Sequence, residues 1–231
     1  MFTATRLHMP RILLLLVFLV PVASAQPAGD GSLDARLLQA IYAHDSGATR
    51  AYFKAADLSA EVLFRTGVPL VFAGTYALQD APRDFRPAYR LALAQGSATV
   101  LVYAMKYAWQ RPRPYAAEEG IFSRSPHHPA RRPNLSFPSG HAGISFALAT
   151  SASLSHPEWY VIAPAMLWAT SVSLSRPWLG VHYPSDVVAG ALLGAGAAVL
   201  VHVARDALTP AFLAPDAPTD AIVVPLLFVS W

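Results

Sequence analysis

Five long apolar segments, 62–78, 91–109, 142–154, 159–174 and 187–204, leave this chain few ways to fold. None alternates apolar and polar residues as a half-buried strand would, and all are long enough for helices. The chain is 54% hydrophobic and 13% charged, about half the charged share of an ordinary soluble domain. The fold class expected is therefore all-α, a helical bundle with about five membrane-embedded helices. Segments 159–174 and 187–204 approach the ~20 apolar residues that a span needs. The second is rich in Gly and Ala, as packed membrane helices often are. Segment 62–78 carries Arg65 and Pro69, and 91–109 carries Gln95 and Lys106, so both are weaker spans. A buried bundle in a soluble protein is the alternative.

Residues 1–25 have the form of a secretory signal. Arg6 and Arg11 precede an apolar core, and Ala23-Ser24-Ala25 supplies the small residues of a cleavage site before Gln26. An uncleaved first membrane helix is the other possibility. Residues 26–60 are expected to hold a linker and short amphipathic helices at 33–42 and 49–58, broken near His44-Asp45-Ser46-Gly47. Residues 61–205 form the expected catalytic domain, and 206–231 a tail to which no role is assigned. With the chain emerging outside after residue 25, five spans put residues 79–90, with Arg83, Arg86 and Arg90, inside. That agrees with the positive-inside rule. The expected location is a bacterial inner membrane with the site facing the periplasm, or else the periplasm itself.

The net charge of +3 is too small, and the arginines too clustered around a few motifs, for a nucleic-acid surface. The absence of cysteine excludes disulfides and thiolate metal sites.

Three strings stand out: Lys106-x6-Arg113-Pro114, Pro138-Ser139-Gly140-His141, and Ser175-Arg176-x5-His182-x3-Asp186. Together they can grip a phosphate and move it through a histidine. Arg113 and Arg176 can each hold two oxygens with a planar, permanently charged fork. Lys106 adds a point charge. Two helical turns would put it on the face of Arg113, and Pro112 and Pro114 should end the helix there. Taken alone, Lys106 reads as a snorkelling lysine at a helix end.

Pro138-Ser139-Gly140-His141 precedes an apolar run, so it forms a turn into a helix whose first N–H groups attract anions. Ser139 can cap that helix or donate to phosphate, and Gly140 admits a close ligand. His141 and His182 can act as nucleophile and acid at neutral pH, in either order. Asp186 can fix the tautomer of His182, or simply cap a helix that starts at Tyr183-Pro184-Ser185. His127 and His128, in the loop 115–137 with Arg124, Arg131 and Arg132, lack carboxylate partners and are assigned to a solvated loop rather than a metal site. His44, His156 and His202 carry no assignment.

These strings, complete and in this order, resemble the type 2 phosphatidic acid phosphatase (PAP2) superfamily, shared with class A acid phosphatases and vanadium haloperoxidases. The resemblance covers about residues 91–204. It implies a PAP2-like helical bundle that needs no metal or other cofactor. It also implies that Lys106, Arg113, Ser139, Gly140 and Arg176 bind phosphate. His182 would become a phosphohistidine, His141 would protonate the leaving group, and Asp186 would orient His182.

The function expected is hydrolysis of a phosphate monoester or pyrophosphate on a membrane lipid: phosphatidic acid, phosphatidylglycerol phosphate, undecaprenyl pyrophosphate or lipid A. Its partners are then that lipid and the membrane. Alternatives are a soluble or peripheral periplasmic acid phosphatase, a vanadium haloperoxidase, or a protein that only binds phosphorylated lipid.

Overall fold

A computed structural model describes residues 32–80, 83–125 and 132–213. The expected signal segment, His127, His128, Arg131 and the tail from 214 onward lie outside the described residues. The helices are α1 (Leu33–Ala43), α2 (Gly47–Leu78), α3 (Arg86–Trp109), α4 (Pro114–Ala117), α5 (Gly140–Ser155), α6 (Trp159–Trp178), α7 (Pro184–Val203) and α8 (Arg205–Leu208). A 3-10 turn follows at Ala211–Leu213. Among the described residues there is no strand, so the all-helical expectation holds.

Helix boundaries follow local chemistry. Ser46 starts α2 with a reciprocal cap: its Oγ accepts from Thr49 N–H at 3.1 Å, and Thr49 Oγ1 accepts from Ser46 N–H at 2.9 Å. Helix α3 ends on Gln110 in the left-handed region, with φ 46°. The two segments expected at 49–58 and 62–78 are one continuous helix, α2, which also passes through Pro69.

Helices α3, α5 and α7 form the centre, α6 packs on α5, and α2 lies outside α6. The closest pair is α5 with α7. A Cβ on Gly194 would run into the backbone of Gly143, and one on Gly190 into the carbonyl of Ser139. Small residues therefore let the two backbones touch. That contact fixes the site: Ser139, ahead of α5, donates its N–H to the Asp186 carbonyl on α7 at 2.8 Å. Val102, Met105, Phe137, Ala189 and Leu193 fill the space beneath.

Helix α1 crosses the site end of the bundle. Its Leu38 is fully buried against Ile121 and Tyr183, a burial worth about 1.5–3 kcal/mol. Arg124 stacks over Tyr42 of α1 at 3.6 Å and over Trp178 at 4.9 Å, tying the loop after α4 to both helices.

Of the segments expected to be embedded, only 187–204 lies in a helix that is long and apolar enough to cross a membrane, Pro184–Val203. Among the described residues no other helix is both long and apolar enough. The bundle surface is nonetheless apolar, with Leu70, Val100, Leu167, Val188, Leu192 and Val203 all exposed.

Candidate active site

The three sequence strings converge at the end of the bundle where α3 stops and α5 and α7 start. Lys106 and Arg113 do not reach it from one helical face. Helix α3 ends at Trp109, and Arg113 is extended, with φ −81° and ψ 154°, as the residue before Pro114 must be. Backbone bonds tie this stretch to the approach to α5: Arg113 N–H to Pro133 O at 2.7 Å and Ser136 N–H to Arg111 O at 3.0 Å.

Lys106 is buried, only 5% exposed, and does not snorkel. Its ammonium donates to the carbonyls of Leu135 at 2.7 Å and Ser136 at 3.2 Å, which leaves a third N–H. Arg113 donates through Nη1 to Val181 O at 3.1 Å and stands 3.4 Å from Nε2 of His182. Its Nε is buried and has no hydrogen-bond partner. Among the described residues, no carboxylate pairs with Lys106 or Arg113. Arg176 is buried and paired with Asp57 of α2, and it also donates to Ser175 Oγ. Ser139 caps α5, its Oγ accepting from Ala142 N–H at 3.4 Å. A Cβ on Gly140 would meet only ordinary contacts, with Val102 and Lys106, so the fold does not demand this glycine.

His182 lies between α6 and α7 with its two nitrogens in different surroundings. Nδ1 faces Ser136 Oγ at 3.5 Å and Asp186 Oδ2 at 3.6 Å. Nε2 faces the guanidinium of Arg113, which has only donors, so Nε2 must carry the lone pair and Nδ1 the proton. Burial first, and then the charges of Arg113, Lys106 and Arg176, hold His182 well below the usual histidine pKa. The ring is therefore neutral at neutral pH. His141, in the first turn of α5, is 32% exposed on its side chain, edge-on to Phe64 at 5.4 Å, with Nε2 3.7 Å from Asp57 Oδ1.

Asp186 is fully buried at the third position of α7. Its Oδ2 accepts from Tyr183 N–H at 2.9 Å and from Ser136 Oγ at 2.5 Å. Its Oδ1 accepts from Arg111 at 2.6 Å. It is thus a helix cap and a neighbour of His182 at once.

The structure places the residues of the three strings at one end of the bundle and adds Asp34, Asp57, Arg111 and Ser136, to which the sequence had assigned no role. Arg111 is 2% exposed and bridges Asp34 and Asp186. Burial pulls the pKa of Arg111 down, but the two carboxylates outweigh that and raise it, so it stays charged. An acid between the small residues Ala56 and Ala60 was the one available sign of Asp57. Arg111 sits beside Arg113 in Arg-Pro-Arg-Pro, and nothing in the string separates their roles. Asp34 and Ser136 left no sign.

Comparison with known proteins agrees with this geometry. The PAP2 superfamily matches residues 87–210, more than half of the chain, and the chain belongs to that family. The undecaprenyl-diphosphatase of Sulfolobus acidocaldarius is 37% identical over 97 residues, 42% of this chain and 45% of that relative. The matches cover less than half the length of the first curated relatives. The crystal structure of Aquifex aeolicus LpxE superposes with a TM-score of 0.62 at 28% identity, covering 76% of this chain and 98% of that one. A transmembrane PAP2 type phosphatidylglycerolphosphate phosphatase from Bacillus subtilis shares the fold, with a TM-score of 0.65 at 21% identity over 87% of this chain and 98% of that one.

Proposed function

We propose that this chain is a lipid phosphatase that cleaves a phosphate monoester or pyrophosphate through a phosphohistidine on His182. One observation carries this reading. Arg113 is a cation with a buried Nε and no carboxylate partner among the described residues, and it flanks the unprotonated Nε2 of His182. Cations taken out of water need a counter-charge. A phosphoryl group supplies it, directly in front of the nucleophile.

In the first step Nε2 attacks phosphorus and the bond to the leaving oxygen breaks, with His141 giving that oxygen its proton. In the second, water attacks the phosphohistidine, His141 takes the proton, and phosphate leaves with His182 restored. Lys106, Arg113, Arg176 and the first N–H groups of α5, beside Ser139 and Gly140, stabilise the charge on the equatorial oxygens. Asp186 keeps the Nδ1 side of His182 oriented. These side-chain cations do the work a metal would do, so no metal is needed.

A lipid substrate is supported by an apolar groove of about 380 Å³ between α2, α3, α5 and α6, lined by Leu63, Leu70, Leu91, Leu148 and Trp168. On α5, Leu148 is roughly 10 Å along the helix from His141, and on α6 Trp168 is roughly 12 Å from Arg176. A lipid whose headgroup is in the site can lay a chain there. The relatives named undecaprenyl-diphosphatase and phosphatidylglycerolphosphate phosphatase fit this class.

Embedding in a membrane is supported by the apolar surface and by aromatic residues at both ends of the bundle. Tyr103 and Tyr107 lie at the site end and Trp159 and Tyr160 at the far end, all exposed. Helix α6 spans about 30 Å, the thickness of a hydrocarbon core. Arg86, Arg90 and Arg205 gather at the far end, with Arg86 paired to Asp84 and Arg205 to Asp206. On the positive-inside rule that end faces the cytoplasm and the site faces the periplasm, the arginines of the site end belonging to the phosphate site and its carboxylate network.

The test is phosphate release by detergent-purified protein, beside His182→Ala, on phosphatidic acid, phosphatidylglycerol phosphate, undecaprenyl pyrophosphate, lipid A and p-nitrophenyl phosphate. Preference for a lipid, lost in His182→Ala, inhibited by vanadate and indifferent to EDTA, supports the reading. Equal rates on the small ester point to a general phosphatase instead, and loss of activity in EDTA overturns the metal-free mechanism.

A further inference from the structure

Helix α1 lies outside the stretch matched by the family, yet one of its side chains is built into the site. Asp34 accepts from Arg111 Nη2 at 2.8 Å, from Ser185 N–H at 3.0 Å, and from the Ser185 hydroxyl. Arg111 gives its other nitrogen, Nη1, to Asp186 Oδ1 at 2.6 Å and to Ser185 Oγ at 2.8 Å. The guanidinium also lies over the Tyr183 ring at 4.2 Å. The result is a carboxylate–guanidinium–carboxylate chain whose inner member faces the Nδ1 side of His182.

The geometry divides the work of Asp186 between its two oxygens. Arg111 holds Oδ1, which leaves Oδ2 for Ser136, Tyr183 N–H and His182. A buried arginine with a single carboxylate partner pulls that partner toward itself. Asp34 shares the load, so Arg111 can stay charged without drawing Asp186 away from His182. The planar fork fixes direction as well as charge.

We propose that Asp34 is a positioning residue for phosphoryl transfer, acting through Arg111 on Asp186 and thereby making α1 part of the catalytic apparatus. This rests on the reading of His182 as the nucleophile. Asp34 touches neither the phosphoryl pocket nor His182, so it should act on the step that forms the bond to Nε2 and not on capture of the anion.

The experiment compares Asp34→Asn and Asp34→Glu with the wild type and with His182→Ala, all as full-length protein in detergent. Turnover, KM, thermal melting and the affinities for vanadate and inorganic phosphate are measured. Vanadate adopts the five-coordinate geometry by bonding to the nucleophile, whereas phosphate reports only the cation cage. In Asp34→Asn, turnover and vanadate affinity should each fall about tenfold to a hundredfold, while KM and phosphate affinity stay within about twofold. Asp34→Glu, which keeps the charge, should lose less of both. Unchanged turnover and vanadate affinity in Asp34→Asn overturn the proposal. So does an equal loss of both anions with a lower melting temperature, which would make Asp34 a fastening for α1 alone. Wild-type turnover that survives in His182→Ala overturns the underlying reading of the site instead, and is seen without either Asp34 variant.

Discussion

Arg176 on α6 is paired with Asp57 on α2, and the same carboxylate lies 3.7 Å from His141. One acid from the outer helix thus touches both a proposed phosphate-binding cation and the proposed acid. It also competes with the substrate for Arg176. Asp57→Asn should therefore make inorganic phosphate a stronger inhibitor while lowering turnover. It should also cost stability, about 3–5 kcal/mol for breaking a buried pair. Phosphate inhibition and thermal melting in detergent check this. Phosphate inhibition that does not change would mean Arg176 does not meet the anion.

His182→Ala should reduce turnover to background, a loss of about a thousandfold or more for a missing nucleophile. Lys106→Ala should behave differently from a simple binding mutant. Its ammonium carries the carbonyls of Leu135 and Ser136, and Ser136 in turn donates to Asp186. Both KM and turnover should suffer, with vanadate inhibition weakened. A rise in KM alone would show that the 135–136 segment holds its place without Lys106.

The pH profile follows from the environment of His182. Burial, and next the charge of Arg113, lowers its pKa below 6.5. A lowered pKa keeps the imidazole neutral, so Nε2 remains a nucleophile until the pH falls through that depressed value. The acid limb of kcat/KM should lie below pH 6.5 in the wild type. Arg113→Gln removes the second cause and should move the limb upward, toward the ordinary histidine range, at a lower overall rate. Comparing the two on one substrate cancels the substrate's own ionisation. A limb that stays put would assign it to another group.

Much of this was legible beforehand because it depends on local pattern. The apolar segments marked the helices, and the prolines around Arg113 marked where α3 had to stop. Asp186 could be placed in the first turn of α7 from Tyr183-Pro184-Ser185 alone. What stayed hidden depends on partners far apart in the chain. Asp34 lies 77 residues from Arg111, and Asp57 lies 119 from Arg176; Asp34 does not differ locally from a solvated acid, and only the small residues around it mark Asp57. The unity of α2 was obscured because its amphipathic stretch 49–58 and its apolar stretch 62–78 differ in pattern and so read as separate segments. The expected spans were also blurred, since helices that line a charged site carry polar residues and weaken the signal of a membrane crossing.

The close contact of α5 and α7 yields the last prediction. Gly194 meets the backbone of Gly143, so Gly194→Val would force the two helices apart. Overpacking of this kind costs about 1–3 kcal/mol. The cost should not stop at stability. The Ser139 N–H bond to the Asp186 carbonyl crosses the same interface and joins the phosphate-binding turn to the start of α7. Separation of the helices should therefore lower turnover even at temperatures where the protein remains folded. Gly96→Ala is the control, because a Cβ on Gly96 meets nothing within 4 Å. There the gain in helix propensity should be neutral or stabilising by about 0.5–1 kcal/mol, with activity intact. Melting curves and turnover of both variants decide it: a fully active Gly194→Val would show that the α5–α7 crossing does not set the geometry of the site.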